Sequence, residues 1–296
     1  MEPRSRLELA NDNAAAHWLG MAGVEGWETR TGPGYTAVRC DRDAADSHRV
    51  VITRRPVDAE ALTGELLELF RGWETRQLCL EDPYRVLDLA GHGCEAAMPQ
   101  AVMVREAGPL DPARTRREAP GLELLEAVRE GELAEVERAV VEGFPVPARL
   151  PWRRGEMFPS AWGALRGRRS WLARRQGVTA GACLSWDDGM SVGLYWVAVL
   201  PEHRSQGVAR ALLERVLRAH PERPATLTAT LLGEPLYRKL GFVEQGLATW
   251  WRCPAMSPPA ARPVTDRLVT DRLLAEPPTA VHPTAVHPIT TLSAEA

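Results

Sequence analysis

Apolar residues along this chain follow two rhythms, and the switches between them predict its elements. Residues 194–200 are an unbroken apolar run of strand length, rich in valine, which Pro201 stops. Directly after it Val208, Leu212, Val216 and Ala219, widened by Leu213 and Leu217, recur at helical spacing until Pro221. Upstream, 169–175 and 178–186 read as the arms of a hairpin about Gln176 and Gly177, and 187–189 as the turn into the apolar run. Residues 122–128 predict a strand, and 132–142 a helix with Leu133, Val136 and Val140 inward and Gly143 past its end. Downstream, 225–232 is strand-like, Pro235 and Gly241 bracket a short helix, and 247–251 is a further strand. Residues 146–168, with Trp152, Met157, Phe158 and Trp162 among prolines, glycines and arginines, predict irregular structure.

The first third reads as a separate α/β unit. Residues 34–40, 48–53, 76–80, 86–89 and 101–105 have strand character, and Asp58 caps a helix carrying Leu62, Leu66, Leu69, Phe70 and Trp73 on one side. Tyr84 followed by the Gly93 segment parallels Tyr237 followed by Gly241, so 1–105 is either a degenerate copy of the second half or an unrelated domain. Residues 86–94 resemble the glycine loop of methyltransferases, but Ala90, His92 and Cys94 stand where glycines belong. Pro99 breaks the helix that the alternative Gly91/Gly93 register needs, so this stretch predicts a tight turn. By composition 106–120 is a linker, 121–253 a second domain, and 254–296, with its duplicated Thr-Asp-Arg-Leu and Pro-Thr-Ala-Val-His units, a disordered tail.

Composition narrows the function classes. A hydrophobic fraction of 45% and a charged fraction of 25% are those of an ordinary globular protein. The net charge of −3 gives no whole-chain footprint for nucleic acid, and no apolar run approaches a membrane span. Cys40, Cys79, Cys94, Cys183 and Cys253 are scattered without a CxxC pair, which argues against a metal site. They predict reduced thiols in a cytoplasmic protein; the start of the chain has no signal-peptide character.

The chemistry concentrates where the apolar run meets its helix. The first N–H groups of a helix lack internal partners, and the helix dipole adds positive potential there. Gly207 and Ala209 add no bulk, so the turn suits a diphosphate; the Gly-Lys-Ser/Thr of a P-loop is missing. Arg204-Ser-Gln-Gly207-Val-Ala209 resembles the Arg/Gln-x-x-Gly-x-Gly/Ala signature of the GNAT superfamily of acyl-CoA-dependent N-acyltransferases. Residues 197–204 are similar to that family's fourth strand and pyrophosphate loop, and 233–242 to its fifth strand and fourth helix. The resemblance covers about 121–253.

It implies an α/β (α+β) fold: a mixed, mostly antiparallel GNAT-type sheet flanked by helices. It implies acetyl-CoA as acyl donor, held by Val197, Ala198 and Val199 of a bulged strand and by Arg204, Ser205, Gln206, Gly207, Val208, Ala209 and Arg210 of the turn. Tyr237 is the implied general acid, and His203 fills a structural position. In the family, 146–168 shapes the acceptor pocket, and its aromatic residues are the expected wall. The base is open among Glu156, Asp187, Asp188, Tyr195 and Glu202. The expected acceptor is a small-molecule or peptide amine, with neither nucleic acid nor membrane as partner; a homodimer is left open. Two functions fit: an active N-acetyltransferase, or an acyl-CoA-binding sensor without turnover.

Overall fold

The structure is a computed structural model describing residues 4–40, 48–73, 78–111, 121–144, 146 and 149–254. It opens with an element the apolar pattern does not announce, α1 (Arg6–Glu25). Ser5 starts it: its hydroxyl accepts from the Glu8 N–H at 3.1 Å, and the Glu8 carboxylate accepts from the Ser5 N–H at 2.8 Å. Asn11, Asn13 and His17 are buried on α1 beside Leu9 and Met21, so it carries no clean apolar stripe.

Strands β1 (Glu28–Gly32), β2 (Tyr35–Arg39) and β3 (His48–Ile52) run antiparallel. Asp58 then caps α2 (Ala59–Gly72), accepting from the Ala61 N–H at 2.9 Å, and the helix returns the chain to β4 (Leu78–Asp82), parallel to β3. The strand predicted over 86–89 does not form. The fully buried carboxylate of Asp82 instead accepts the backbone N–H groups of Tyr84, Arg85, Val86 and Leu87 at 3.1, 2.9, 2.8 and 2.9 Å. Those donors are lost to any ladder, and the chain wraps into a turn that Gly93 closes at φ 79°. Short β5 (Glu95–Ala96) and β6 (Gln100–Arg105) follow.

The second half matches its pattern closely. It runs β7 (Leu122–Glu126), α3 (Glu130–Gly143), β8 (Arg168–Arg175), β9 (Val178–Asp187), β10 (Val192–Val199), α4 (Val208–Ala219), β11 (Ala225–Ala229), α5 (Glu234–Lys239) and β12 (Val243–Cys253). Gln176 and Gly177 both take positive φ in the β8–β9 turn, the form that suits the twist of a two-residue hairpin.

The strands make one mixed, mostly antiparallel sheet in the order β1-β2-β3-β4-β12-β6-β11-β10-β9-β8-β7, flanked by helices. The halves interleave in it. β6 lies between β11 and β12, while β12 pairs with β6 at its start and with β4 and β5 at its end. Both halves show the same unit of strand, helix and parallel strand: β3-α2-β4 and β10-α4-β11.

On one face α2 packs Leu66 and Phe70 against Leu80 and Trp251, and α4 packs Leu212, Leu213 and Val216 against Trp171 and Met103. On the other, α3 covers Leu172 and Leu184, and α1 covers Val102, Val104 and Ala248. Each such leucine contributes about 1.5–3 kcal/mol by leaving water.

The expectation of five reduced thiols fails at one pair. Cys94 and Cys253 form a disulfide, because β12 carries its last residue back beside the Gly93 turn. Cys40, Cys79 and Cys183 are buried thiols. The expected tail beyond residue 254, most of the expected linker and the start of the strand expected at 76–80 lie outside the described residues. Among the described residues no helix is long and apolar enough to cross a membrane.

Candidate active site

The site begins with a defect in a strand. Against β9, Tyr195 faces Leu184 but Ala198 faces Ala182, so β10 carries an extra residue, and Trp196 takes φ 53° to absorb it. β10 pairs with β11 only at Val192 and Gly193, after which the two strands part. Val197 lines the gap, Val199 packs half-buried on the α4 core, and Ala198 is buried beneath α3.

Past the end of β10 the chain makes a short turn at Pro201–His203 and then uses two left-handed residues, Ser205 at φ 58° and Gly207 at φ 83°. Gly207 is the N-cap of α4, and among the described residues no side-chain cap bond is made there, so the start of the helix is uncapped. A Cβ added at Gly207 meets nothing within 4 Å: the space over the turn is open. Val208 anchors the helix in the core, Ala209 lies half-buried beside it, and Arg204, Ser205 and Gln206 are exposed.

The longer side chains of the turn are engaged within the fold. Arg204 donates to the carbonyls of Val199 at 3.3 Å and Gly143 at 3.1 Å. Gln206 donates to the Glu202 carbonyl at 2.8 Å and accepts from Arg175, and Arg210 donates to Glu214 at 3.0 Å. The contact surface offered to an anion is therefore backbone.

Tyr237 sits on α5 across the gap, 8% exposed, with its ring edge-on to Phe242 at 5.9 Å. Gly233 makes room for it: a Cβ there would lie 2.8 Å from Tyr237 Cε2. Burial, with a smaller effect from Cys183, pushes the phenol up to about 12. Tyr237, Trp196, Val197 and Thr228 line one end of a cavity of about 370 Å³ that runs under α1 to β3 and β4.

Several expectations need correction. Met157 and Phe158 pack on the α3 core, and Trp162 donates to Glu25 at 2.9 Å; the aromatic cavity wall comes instead from Phe144, Trp196, Trp18 and Trp250. Of the acids and phenol considered as base, only Tyr195 borders the cavity, and its hydroxyl donates to Asn13 Oδ1 at 2.7 Å while its ring stacks on His17 at 4.0 Å. Burial drives the pKa of that phenol upward. Glu156 accepts from Arg153, Asp187 and Asp188 accept turn N–H groups, and Glu202 is exposed. His203 is half-buried in its turn.

The carboxylate that does face the cavity, Glu81 of β4, was not among the candidates. In the sequence it only closes the apolar run 78–80 and is followed directly by Asp82, which gives it no distinguishing signal.

A family model described as an acetyltransferase (GNAT) domain matches residues 166–244. Residues 166–244 carry a GNAT domain. The match spans β8 to the start of β12, and so includes the bulged strand, the Gly207 turn and Tyr237. A GCN5-related N-acetyltransferase from Kribbella flavida superposes with a TM-score of 0.61 at 17% identity, covering 84% of this chain and 96% of its own. A functionally unknown conserved protein from Staphylococcus epidermidis gives 0.56 at 15% identity, covering 78% and 95%. A putative GNAT-family acetyltransferase from Novosphingobium aromaticivorans gives 0.52 at 17%, covering 84% and 99%. Coverage this wide takes in both halves of the chain. No curated protein matches the chain in sequence. The GNAT domain supports acyl transfer in general.

Proposed function

We propose that the protein moves an acetyl group from acetyl-CoA to a primary amine by direct attack in a ternary complex. The observation carrying this is the conjunction of a bulged, parting β10–β11 pair with an uncapped helix N-terminus directly beyond it. Open space over Gly207 and the uncapped start of α4 fit a diphosphate, and the gap beside Val197, Ala198 and Val199 fits an extended arm. Acetyl-CoA supplies the activated acyl group.

Tyr237 stands over that gap as a proton donor. With its pKa at about 12 it is a neutral phenol throughout the physiological range. Full transfer to a thiolate, whose acid has a pKa of about 8.5, is uphill by about 5 kcal/mol. Tyr237 therefore acts first by donating a hydrogen bond to the leaving sulfur. Its proton passes over only as the attacking nitrogen returns one.

The test is a thiol-release assay over a panel of amines, run beside calorimetric titration with acetyl-CoA. Binding together with amine-dependent release is expected. Binding without release on any amine points to an acyl-CoA sensor, and absence of binding overturns both.

A further inference from the structure

The arginine of the turn is tied into the fold at two points. Arg204 Nε donates to the Val199 carbonyl at 3.3 Å, and its Nη2 donates to the Gly143 carbonyl at 3.1 Å. Val199 is the last residue of β10 and Gly143 the last of α3, so one guanidinium joins the turn, the strand before it and a helix from elsewhere in the chain. The α3 end lies hard against that strand: a Cβ on Gly143 would stand 3.1 Å from the Val199 oxygen and 3.4 Å from the Ala198 Cβ. The last carbonyls of a helix lack internal partners and carry the negative end of its dipole, and α3 has no basic residue in its own last turn. Arg204 supplies both a donor and a positive charge there.

The path continues to the cavity. Phe144 follows Gly143, caps α3 and lines the cavity. Its ring stands edge-on to Trp196, with centroids 5.4 Å apart, and Phe158 lies 6.4 Å from the same indole. Trp196 absorbs the β10 bulge at φ 53°, a costly conformation that persists only where the surroundings impose it. Ser205, the neighbour of Arg204, is likewise a left-handed residue other than glycine, at φ 58°. Two costly backbone positions, one in the turn and one in the cavity wall, are therefore linked through Arg204, Gly143 and Phe144.

We propose that Arg204 is a positioning residue that couples the turn to the cavity wall. A diphosphate seated on the amides of the turn fixes Arg204, and through Gly143 and Phe144 this sets Trp196, the wall against which the acceptor is placed. Such a coupling is reciprocal: a filled acceptor cavity tightens donor binding by the same factor. What occupies the turn rests on the acyl-transfer reading; the tie from turn to wall does not.

The experiment titrates the isotope-labelled full chain with coenzyme A and follows its amide shifts, first unmodified, then as Arg204→Gln and Arg204→Lys. The Phe144 nitrogen is bonded to the Gly143 carbonyl carbon, so its amide reports on the Arg204 contact. In the unmodified chain it is expected to move with the same midpoint as the Gly207 amide. In Arg204→Gln the turn amides are expected to saturate within about threefold of the original midpoint, while the Phe144 shift shrinks at least about fivefold. Arg204→Lys, which keeps the charge but not the two-pronged geometry, is expected to restore about half of that shift. A Phe144 amide that stays still while the turn of the unmodified chain saturates overturns the coupling and leaves the acyl-transfer reading standing. So does a Phe144 shift of full size in Arg204→Gln, which would mark direct contact with the bound molecule. Coenzyme A binding weakened at least tenfold by Arg204→Gln would make Arg204 a phosphate ligand and likewise overturn its positioning role. If Arg204→Gln does not fold, Arg204→Lys decides, a halved Phe144 shift supporting the coupling and a full one overturning it. No shift anywhere overturns the acyl-transfer reading and the coupling with it.

Discussion

Tyr237→Phe removes one oxygen and little else. The ring stays packed edge-on to Phe242 and under Gly233, so folding stability should move by no more than about 0.5 kcal/mol. The hydroxyl borders the cavity, and its rise from 10.0 to about 12 corresponds to about 3 kcal/mol in favour of the neutral, donating form. A hydrogen bond to a charged partner is worth about 1.5–3 kcal/mol, so losing it from the departing sulfur should lower kcat by about 10- to 150-fold. The acetyl-CoA dissociation constant should stay within about twofold, because the proposed diphosphate contact, the Gly207 turn, lies elsewhere. The assay is steady-state thiol release at saturating amine, with calorimetry for the donor and a urea melt for the fold. Unchanged kcat would remove Tyr237 from the chemistry. A drop matched by a large loss of stability would make its hydroxyl a structural group.

Three other perturbations probe separate parts of the account. Gly207→Val forces a β-branched residue into a left-handed position, at a cost of about 1–2 kcal/mol, and places methyl groups over the first-turn amides. Acetyl-CoA affinity measured by calorimetry should fall at least tenfold, and a wild-type value would contradict the assigned role of the turn. Burial lowers His17 from 6.5 to about 3, so the native ring is neutral while the unfolded chain takes up a proton below 6.5. Its contribution is present above pH 6.5 and is lost as pH falls toward 3, about 2 kcal/mol by pH 5. Urea melts at both ends of that range should show this loss shrinking in His17→Phe; an identical loss would rule out His17 as its source. Asp82→Ala strips the acceptor from four backbone N–H groups and should cost about 3 kcal/mol in a denaturant melt, with a shift under about 0.5 kcal/mol counting against the carboxylate as the organiser of the turn.

What the sequence made legible was local. The Gln176–Gly177 turn, the Asp58 cap and the stripe from Val208 to Ala219 each write their element into a few neighbouring residues. For that reason the second half and α2 could be read directly. α1 escaped because Asn13 and His17 interrupt its apolar positions. Asn13 is buried there only because Trp186, Ser191 and Tyr195, far away in sequence, bond with it. The run at 86–89 has strand hydrophobicity, but Asp82 takes its donors, which periodicity cannot register.

The interleaving of β6 and β12 and the Cys94–Cys253 bond are nonlocal in the same sense. So is the cavity. The Gly207 turn and Tyr237 were visible as a motif, whereas Glu81 joins the cavity lining only once β4, β12, β6 and β11 stand side by side.

The central claim is that backbone amides at the Gly207 turn take the two phosphates of coenzyme A. Its most direct measurement is an amide chemical-shift titration of isotope-labelled protein with coenzyme A. The account predicts saturable shifts at the N–H groups of Ser205 through Arg210. Binding that leaves those amides unmoved, or shifts confined to other parts of the sheet, would contradict it.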